Sequence, residues 1–244
     1  MTQPPYKQPP ITEAVIAINF AKPIDPEEAA KVSDKFSVHY PQHQNVENVK
    51  VALQIDKDQT KSQVDREIGH RRSSPDVTEL LVLWRSAFVV SQLAPYPGWD
   101  EFFQRFVRDW KLWKRTTGFR TIGRLGVRYI NRIDIPMSGP VLEYENFLNV
   151  YPKLPDSLGA VGAYAVQAVL PIRDIGCNLT INSAVVPAPV LGHASFVIDQ
   201  DIAKEVDPPQ SDEAIYELLN EIRVRKNNVF EACISNRARE LFQR

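Results

Sequence analysis

Residues 123–134, with the sequence GRLGVRYINRID, constrain the fold more than any other part of the chain, because apolar and charged side chains alternate along them. Successive side chains of a β-strand point to opposite sides, so this alternation predicts a strand with one buried and one charged face. The apolar face carries Leu125, Val127, Tyr129 and Ile133. The charged face carries Arg124, Arg128, Arg132 and Asp134. Three guanidinium groups on one face require carboxylates, phosphates or water as partners.

The three arginines of this strand are candidate ligand-binding residues. A guanidinium group presents a planar fork that binds phosphate or carboxylate through two parallel hydrogen bonds. The alternative is a set of ion pairs with a neighbouring strand or helix, since large antiparallel sheets often have one polar face. Asn131 falls on the apolar face, where its amide needs a hydrogen-bond partner. It joins Arg124, Arg128 and Arg132 in the predicted site.

Two acidic residues, Asp199 and Asp201, stand at the end of another predicted strand and share one of its faces. Carboxylates in this arrangement can hold magnesium beside a phosphate. Strand ends are also where acidic side chains ordinarily meet solvent, so both interpretations stay open. A magnesium ion is expected only if the chain is an enzyme that uses these two residues. Otherwise the sequence predicts no cofactor.

The hydrophobic periodicity predicts an α+β fold, with antiparallel β-sheets in two strand-rich halves that are each followed by a long amphipathic helix. The first helix is predicted from Trp99 to the residue before Gly118, with aromatic side chains at steps of three and four. The second helix is capped by Ser211, and Lys226 interrupts its apolar stripe. Either two α+β layers or one larger sheet covered by helices fits this pattern.

The two halves are predicted to comprise residues 1–136 and residues 161–244, packed as one globular unit. Between them, residues 137–160 form a proline-rich junction of the kind that separates structural units. Within the first half, residues 57–75 are polar and lack periodicity, so they are predicted to form a mobile loop between two strands.

Charge and composition exclude several classes of function. Lysine and arginine number 29 against 30 acidic residues, for a formal net charge of −1, so no overall field draws the chain to nucleic acid or to an anionic membrane. Two cysteines argue against a disulfide framework or a thiolate metal site. No apolar stretch suits a signal peptide or a membrane span, so a cytoplasmic protein is expected.

The sequence lacks a Gly-x-Ser-x-Gly elbow, a phosphate-binding loop and a dinucleotide fingerprint. The chain is therefore predicted to be a binding or interaction module that recognises an anionic ligand or a protein partner through its arginine-bearing strand. The alternative is a magnesium-dependent phosphoryl-transfer or nucleotide-processing enzyme, so enzyme activity stays open. The apolar pair Leu241 and Phe242 could cap the core or form a homodimer contact.

Three motifs are spread along the chain: PPI-x-EA at residues 9–14, RLG-x-RYINRI at residues 124–133 and FEA-x-I at residues 230–234. In these motifs the chain resembles an uncharacterised, sporadically distributed prokaryotic protein family of similar length. The resemblance spans nearly the whole chain and implies a shared fold. It implies no activity, because the family supplies none to transfer.

Overall fold

The structure is a computed structural model that describes residues 6–56, 59–137, 139 and 143–243. Within these residues, nine strands form one antiparallel sheet in the order β2-β3-β4-β5-β1-β6-β9-β8-β7. The strands are β1 (Ile11–Phe20), β2 (Gln42–Asp56), β3 (Gln59–Ser73), β4 (Glu79–Leu83), β5 (Ala87–Leu93), β6 (Ile122–Pro136), β7 (Ala165–Ile172), β8 (Cys177–Val186) and β9 (His193–Lys204). The predicted α+β class is confirmed, and of the two arrangements left open the single larger sheet is present.

The helices are α1 (Pro26–Lys35), α2 (Trp99–Thr117), α3 (Asp212–Cys233) and α4 (Asn236–Phe242), with short 3₁₀ turns at Tyr144–Asn146 and Asp156–Leu158. The predicted start of α3 is confirmed, since the Ser211 hydroxyl accepts a hydrogen bond from the backbone N–H of Ala214, as an N-cap residue does. No helix in the described part of the chain is long and apolar enough to cross a membrane.

The helices cover one face of the sheet, and the hydrophobic core lies between the two layers. The aromatic stripe of α2 packs into this core: the Phe20 ring of β1 stacks on Trp113 at 4.4 Å between ring centroids, and Trp113 stacks on Trp110 at 5.1 Å. Phe102, Trp110 and Trp113 are buried. These aromatic side chains therefore stabilise the fold through burial.

The prediction of a mobile loop at residues 57–75 is wrong for most of that range. Residues 59–73 form β3, which pairs with β2 over its whole length and with β4 at its end; residues 57 and 58 lie outside the described residues. Backbone hydrogen bonds to β2 hold this strand, and they do not require a periodic pattern of side chains. Ile68 and Val64 remain exposed, which explains why the segment lacks an apolar pattern.

The proline-rich segment joins the core of the same sheet. Tyr144, Phe147 and Leu148 are buried, and Leu148 forms an isolated β-bridge with Ile234. Residues 138 and 140–142 of the segment lie outside the described residues. Strands that precede and follow this segment meet directly where β6 pairs with β9.

Candidate functional site

The predicted two-sided character of residues 123–134 is confirmed in β6. Leu125, Val127 and Tyr129 are fully buried under the helices, whereas the side chains of Arg128 and Arg132 are 49% and 40% exposed on the opposite face. That opposite face of the sheet is called the open face below. The three arginines of β6 lie on it.

Arg128 is held by Asp199 of the neighbouring strand β9. Its Nε donates to Asp199 Oδ1 and its Nη2 donates to Asp199 Oδ2, both at 2.7 Å. Arg128 lies directly opposite Asp201 in the sheet register, so its side chain leans diagonally to reach Asp199, as long side chains do across strands. Two parallel charge-assisted hydrogen bonds fix the guanidinium plane.

The Asp199 carboxylate extends this contact across the sheet. Its Oδ2 also accepts from Asn182 Nδ2 of β8 at 3.1 Å, and Asn182 Oδ1 accepts from Gln167 Nε2 of β7 at 2.8 Å. The Asp199 side chain is only 9% exposed. Four neighbouring strands are thus joined by one chain of polar side chains on the open face.

Arg124 makes a second ion pair with β9, at Asp201. Arg124 Nη2 donates to Asp201 Oδ2 at 2.5 Å, and its Nε lies 3.3 Å from Glu205 Oε1. Gly126 makes room for this side chain, because a Cβ there would come within 2.7 Å of Arg124 Nη1. Gly123 has a different effect, since the register between β1 and β6 shifts where this residue is inserted, as in a β-bulge.

Arg132 belongs to a third polar group further along the open face. Its Nε donates to Asp134 Oδ2 at 3.2 Å, and the Ser195 hydroxyl donates to Asp134 Oδ1 at 2.5 Å. Ser195 is almost fully buried. The carboxylate is therefore fixed by one charged and one neutral donor.

We call six of the charged residues in these three groups the charged row: Arg124, Arg128, Arg132, Asp134, Asp199 and Asp201. The structure brings the arginine-bearing strand and the predicted acidic pair together, on adjacent strands of one sheet. Arg124 and Arg128 pair with carboxylates of the neighbouring strand β9, which is the ion-pair arrangement left open by the sequence, and Arg132 pairs with Asp134 of its own strand. Ligand binding by these residues stays a prediction.

Electrostatics within the charged row follow from these contacts. The hydrogen bonds to Asp199, opposed by partial desolvation, raise the pKa of Arg128 above its ordinary value. Burial raises the pKa of Asp201 despite the nearby guanidinium groups of Arg124 and Arg128. Arg128 consequently stays charged at any physiological pH, and its ion pair with Asp199 provides the firmest anchor in the row.

Asn131 lies apart from the charged row, on the buried face of β6. Its Nδ2 donates to the backbone carbonyl of Ile198 at 3.1 Å. This contact satisfies the amide within the sheet, as the sequence argument required. The structure therefore places Asn131 in the core, away from the arginines with which it was grouped.

The described residues contain no group of three or more His, Cys, Asp and Glu side chains arranged to hold a metal ion. Asp199 and Asp201 do share the open face of β9, as predicted, but they do not end the strand, which continues to Lys204. Asp199 accepts from Arg128 with both oxygens, and Asp201 accepts from Arg124 with Oδ2. A cation at this position would compete with guanidinium groups for the carboxylates.

Asn182 and Gln167 are not among the residues predicted from the sequence. The signal that could have revealed Asn182 is the alternation of Asn178, Thr180 and Asn182 with apolar residues along β8, which marks a polar face of the same sheet. A comparison with family models and with curated protein sequences gives no match for this chain.

Proposed function

We propose that this chain is a binding module that recognises a protein partner through the charged row on its open face. The observation that supports this most strongly is the set of three guanidinium groups held in fixed positions by carboxylates on a sheet face that the helices leave uncovered. Preorganised charges of both signs suit recognition of another protein surface, because electrostatic complementarity gives specificity.

Charge balance within the row favours a protein over a polyanion. Three arginines face three aspartates, so the row has no net charge. Nucleic-acid binding draws most of its affinity from unbalanced positive charge near the phosphates. A nucleic acid would gain little from this surface.

The spacing of the arginines favours a macromolecule over a small anion. Arg124, Arg128 and Arg132 are four residues apart along one strand, or about 13 Å from each to the next at ~3.3 Å per residue. One phosphate or carboxylate group can contact only one of them. A partner that uses the whole row must extend along the strand, as a protein segment does.

The binding test compares two arginines of matched exposure. Arg128→Ala removes a member of the charged row, and Arg225→Ala removes an arginine of α3 whose side chain is 44% exposed and pairs with Asp174. We expect Arg128→Ala to weaken partner binding by 10-fold or more, on the order of 1.4 kcal/mol or above, while Arg225→Ala leaves it unchanged. Equal affinities for the two variants would remove the charged row from the proposal.

A second candidate function is magnesium-dependent phosphoryl transfer or nucleotide processing. The observation in its favour is that Asp199 and Asp201 lie beside Arg124 and Arg128, which is the convergence such a site needs. Calorimetric titration with magnesium and nucleotides tests it. Heat of binding that disappears in Asp201→Asn supports this candidate, and an absence of heat in the wild-type protein speaks against it.

We also propose that the chain consists of two related halves. Each half begins with a central strand, β1 or β6, that pairs with the last strand of its own half, β5 or β9. Each is followed by a long helix, α2 or α3, and the two first strands lie side by side in antiparallel orientation. This proposal moves the boundary between the halves from residue 136 to the loop before β6.

Three further properties complete the proposal. We place the protein in the prokaryotic cytoplasm and in the family that its three motifs resemble. A homodimer is the proposed assembly, with Leu241 and Phe242 as the contact to test. Within one chain Phe242 is buried and its ring lies 5.2 Å from Tyr6, so light scattering of Leu241→Asp is the better probe.

A further inference from the structure

A cleft of about 360 Å³ opens near the edge of the sheet where β2 pairs with β3. Its lining comprises Gln42, His43, Gln44, Arg71, Ser73 and Val77. Every polar member is a hydrogen-bond donor, and none is acidic. The cleft therefore presents a positive and donor-rich surface.

Arg71 differs from the arginines of the charged row in having no ion-pair partner in the part of the chain that the structure describes. Arg124, Arg128 and Arg132 each face a carboxylate. Asp76, next to Val77 in the chain, is turned toward Ser74 and Thr78, whose hydroxyls both donate to its carboxylate. The Arg71 guanidinium thus keeps its donors for an external anion.

The register of β2 and β3 places further donors beside Arg71. Gln44 lies directly opposite Arg71, and Gln42 lies directly opposite Ser73. The Ser73 hydroxyl donates to Gln42 Oε1 at 3.2 Å, and Gln42 Nε2 donates to the carbonyl of Pro75 at 3.1 Å. These contacts fix the wall of the cleft, and they leave the Gln44 amide available next to the guanidinium.

The His43 ring lies on the other face of the hairpin, because His43 is directly opposite Arg72 and therefore points away from Arg71 and Gln44. His43 Nε2 lies 3.2 Å from His70 Nδ1, and the two rings stack at 5.4 Å between centroids. The contact orients the His43 ring, and its Nδ1 has no hydrogen-bond partner among the described residues. The donors available to an anion beside Arg71 are therefore those of Arg71 itself and of Gln44.

We infer that this cleft binds a phosphate monoester, with Arg71 supplying the charge and Gln44 supplying a neutral donor. A guanidinium fork matches two oxygens of a phosphate. The volume exceeds what a lone oxyanion fills and falls in the range of small-ligand sites. The remaining space accommodates part of the molecule that carries the phosphate.

This site is separate from the charged row. The sheet order places β4, β5 and β1 between β3 and β6, so Arg71 and Arg128 lie about 19 Å apart at ~4.8 Å per strand. A negative binding result at one site therefore does not test the other site. Binding of a phosphate at Arg71 goes beyond the recognition of a protein partner at the charged row.

Calorimetric titration of the full chain with inorganic phosphate, O-phosphoserine and a phosphoserine-containing peptide tests the inference. We expect one site per chain and at least a 10-fold loss of affinity in Arg71→Ala. Arg71→Lys keeps the positive charge but lacks the planar guanidinium fork. Its affinity should lie between those of the wild type and Arg71→Ala. The matched control is Arg66→Ala on the same strand, where the exposed arginine pairs with Glu47 at 3.5 Å; it should bind as the wild type does.

The three ligands also identify the source of the phosphate. O-phosphoserine that binds at least as tightly as the peptide indicates a small metabolite, and a tighter peptide indicates a modified protein; both results support the site. Wild-type protein that binds none of the three, or Arg71→Ala and Arg71→Lys that both bind as the wild type does, would overturn the inference. An equal loss in Arg66→Ala would overturn it as well.

Discussion

Two positively charged side chains, one on each side of β6, have contrasting surroundings. Arg128 on the open face is held by both oxygens of Asp199. Lys226 of α3 lies on the helical side, with its Nζ 3.7 Å from the centre of the Tyr129 ring, and has no ion-pair partner among the described residues. Burial, together with the nearby charge of Arg223, lowers the pKa of Lys226 to about 7. The chain therefore stabilises one of these charges and disfavours the other.

Lys226→Met should stabilise the protein at neutral pH and change the pH dependence of its stability. The pKa of Lys226 is about 7 in the folded chain against an ordinary value of 10.5 for lysine, so between these values the unfolded state binds a proton that the folded state lacks. Unfolding free energy of the wild type should therefore rise with pH in this window, by about 1 kcal/mol per pH unit.

Denaturant titrations at pH 7.5, 8.5 and 9.5 measure this slope. The difference between the wild type and Lys226→Met should shrink as pH rises. Lys31→Met, at an exposed position of α1, is the control and should keep the wild-type slope. A Lys226→Met protein with the same slope as the wild type would show that the ammonium group is solvated in the folded chain.

A double-mutant cycle on Arg128 and Asp199 tests the ion pair at the centre of the charged row. Arg128→Ala leaves a nearly buried carboxylate without its main partner, and Asp199→Ala leaves a half-exposed guanidinium that water can solvate. We expect the first change to cost more stability than the second, with a coupling energy on the order of 1 kcal/mol after allowance for the exposure of Arg128. Additive effects within error would argue that the two side chains do not interact.

Among the elements, the β2–β3 hairpin depends on a buried arginine for its attachment to α1. Arg72 of β3 has a side chain that is 6% exposed. Its Nε donates to Ser33 Oγ, and its Nη2 donates to Asp34 Oδ1, both at 2.8 Å. These contacts hold the hairpin against the helix at the end where β3 also pairs with β4.

Arg72→Met should loosen the hairpin while leaving the centre of the sheet intact. The substitution removes the donors to Ser33 and Asp34 and leaves the nearly buried Ser33 hydroxyl without this partner, at an expected cost of about 2 kcal/mol. Hydrogen exchange should then lose protection in residues 66–73 and keep it in β6 and β9. Arg66→Ala is the matched control, and equal loss of protection in both variants would contradict the role of Arg72.

The elements also show what could be predicted from the sequence and what could not. The two faces of β6, the ends of α2 and the Ser211 cap follow from local patterns and are present. Strand β3 does not follow from the sequence, because its backbone pairing with β2 defines it. A pattern of side chains indicates a strand only where one face is buried. The pairing of Arg128 with Asp199 could not be predicted, because the two residues are 71 positions apart and meet only through the register of β6 against β9.

At the level of the whole molecule, one nine-stranded sheet separates two kinds of surface. The helices cover one face and enclose the aromatic core, and the open face carries the charged row. On this account the charged row near the centre of the open face contacts a protein partner, and the cleft beside Arg71 takes a phosphate. Both sites depend on strand register, which places side chains from distant parts of the sequence side by side.

The most direct test of the central proposal begins with a protein partner captured on the immobilised wild-type chain. The affinity of that partner is then measured side by side for the wild type, Arg128→Ala and Arg225→Ala. Each variant is first checked for an unchanged far-UV spectrum, so that a loss of binding is not a loss of folding. We expect a dissociation constant at least 10-fold higher than that of the wild type for Arg128→Ala alone. Equal affinity of all three proteins for the partner would contradict the proposal.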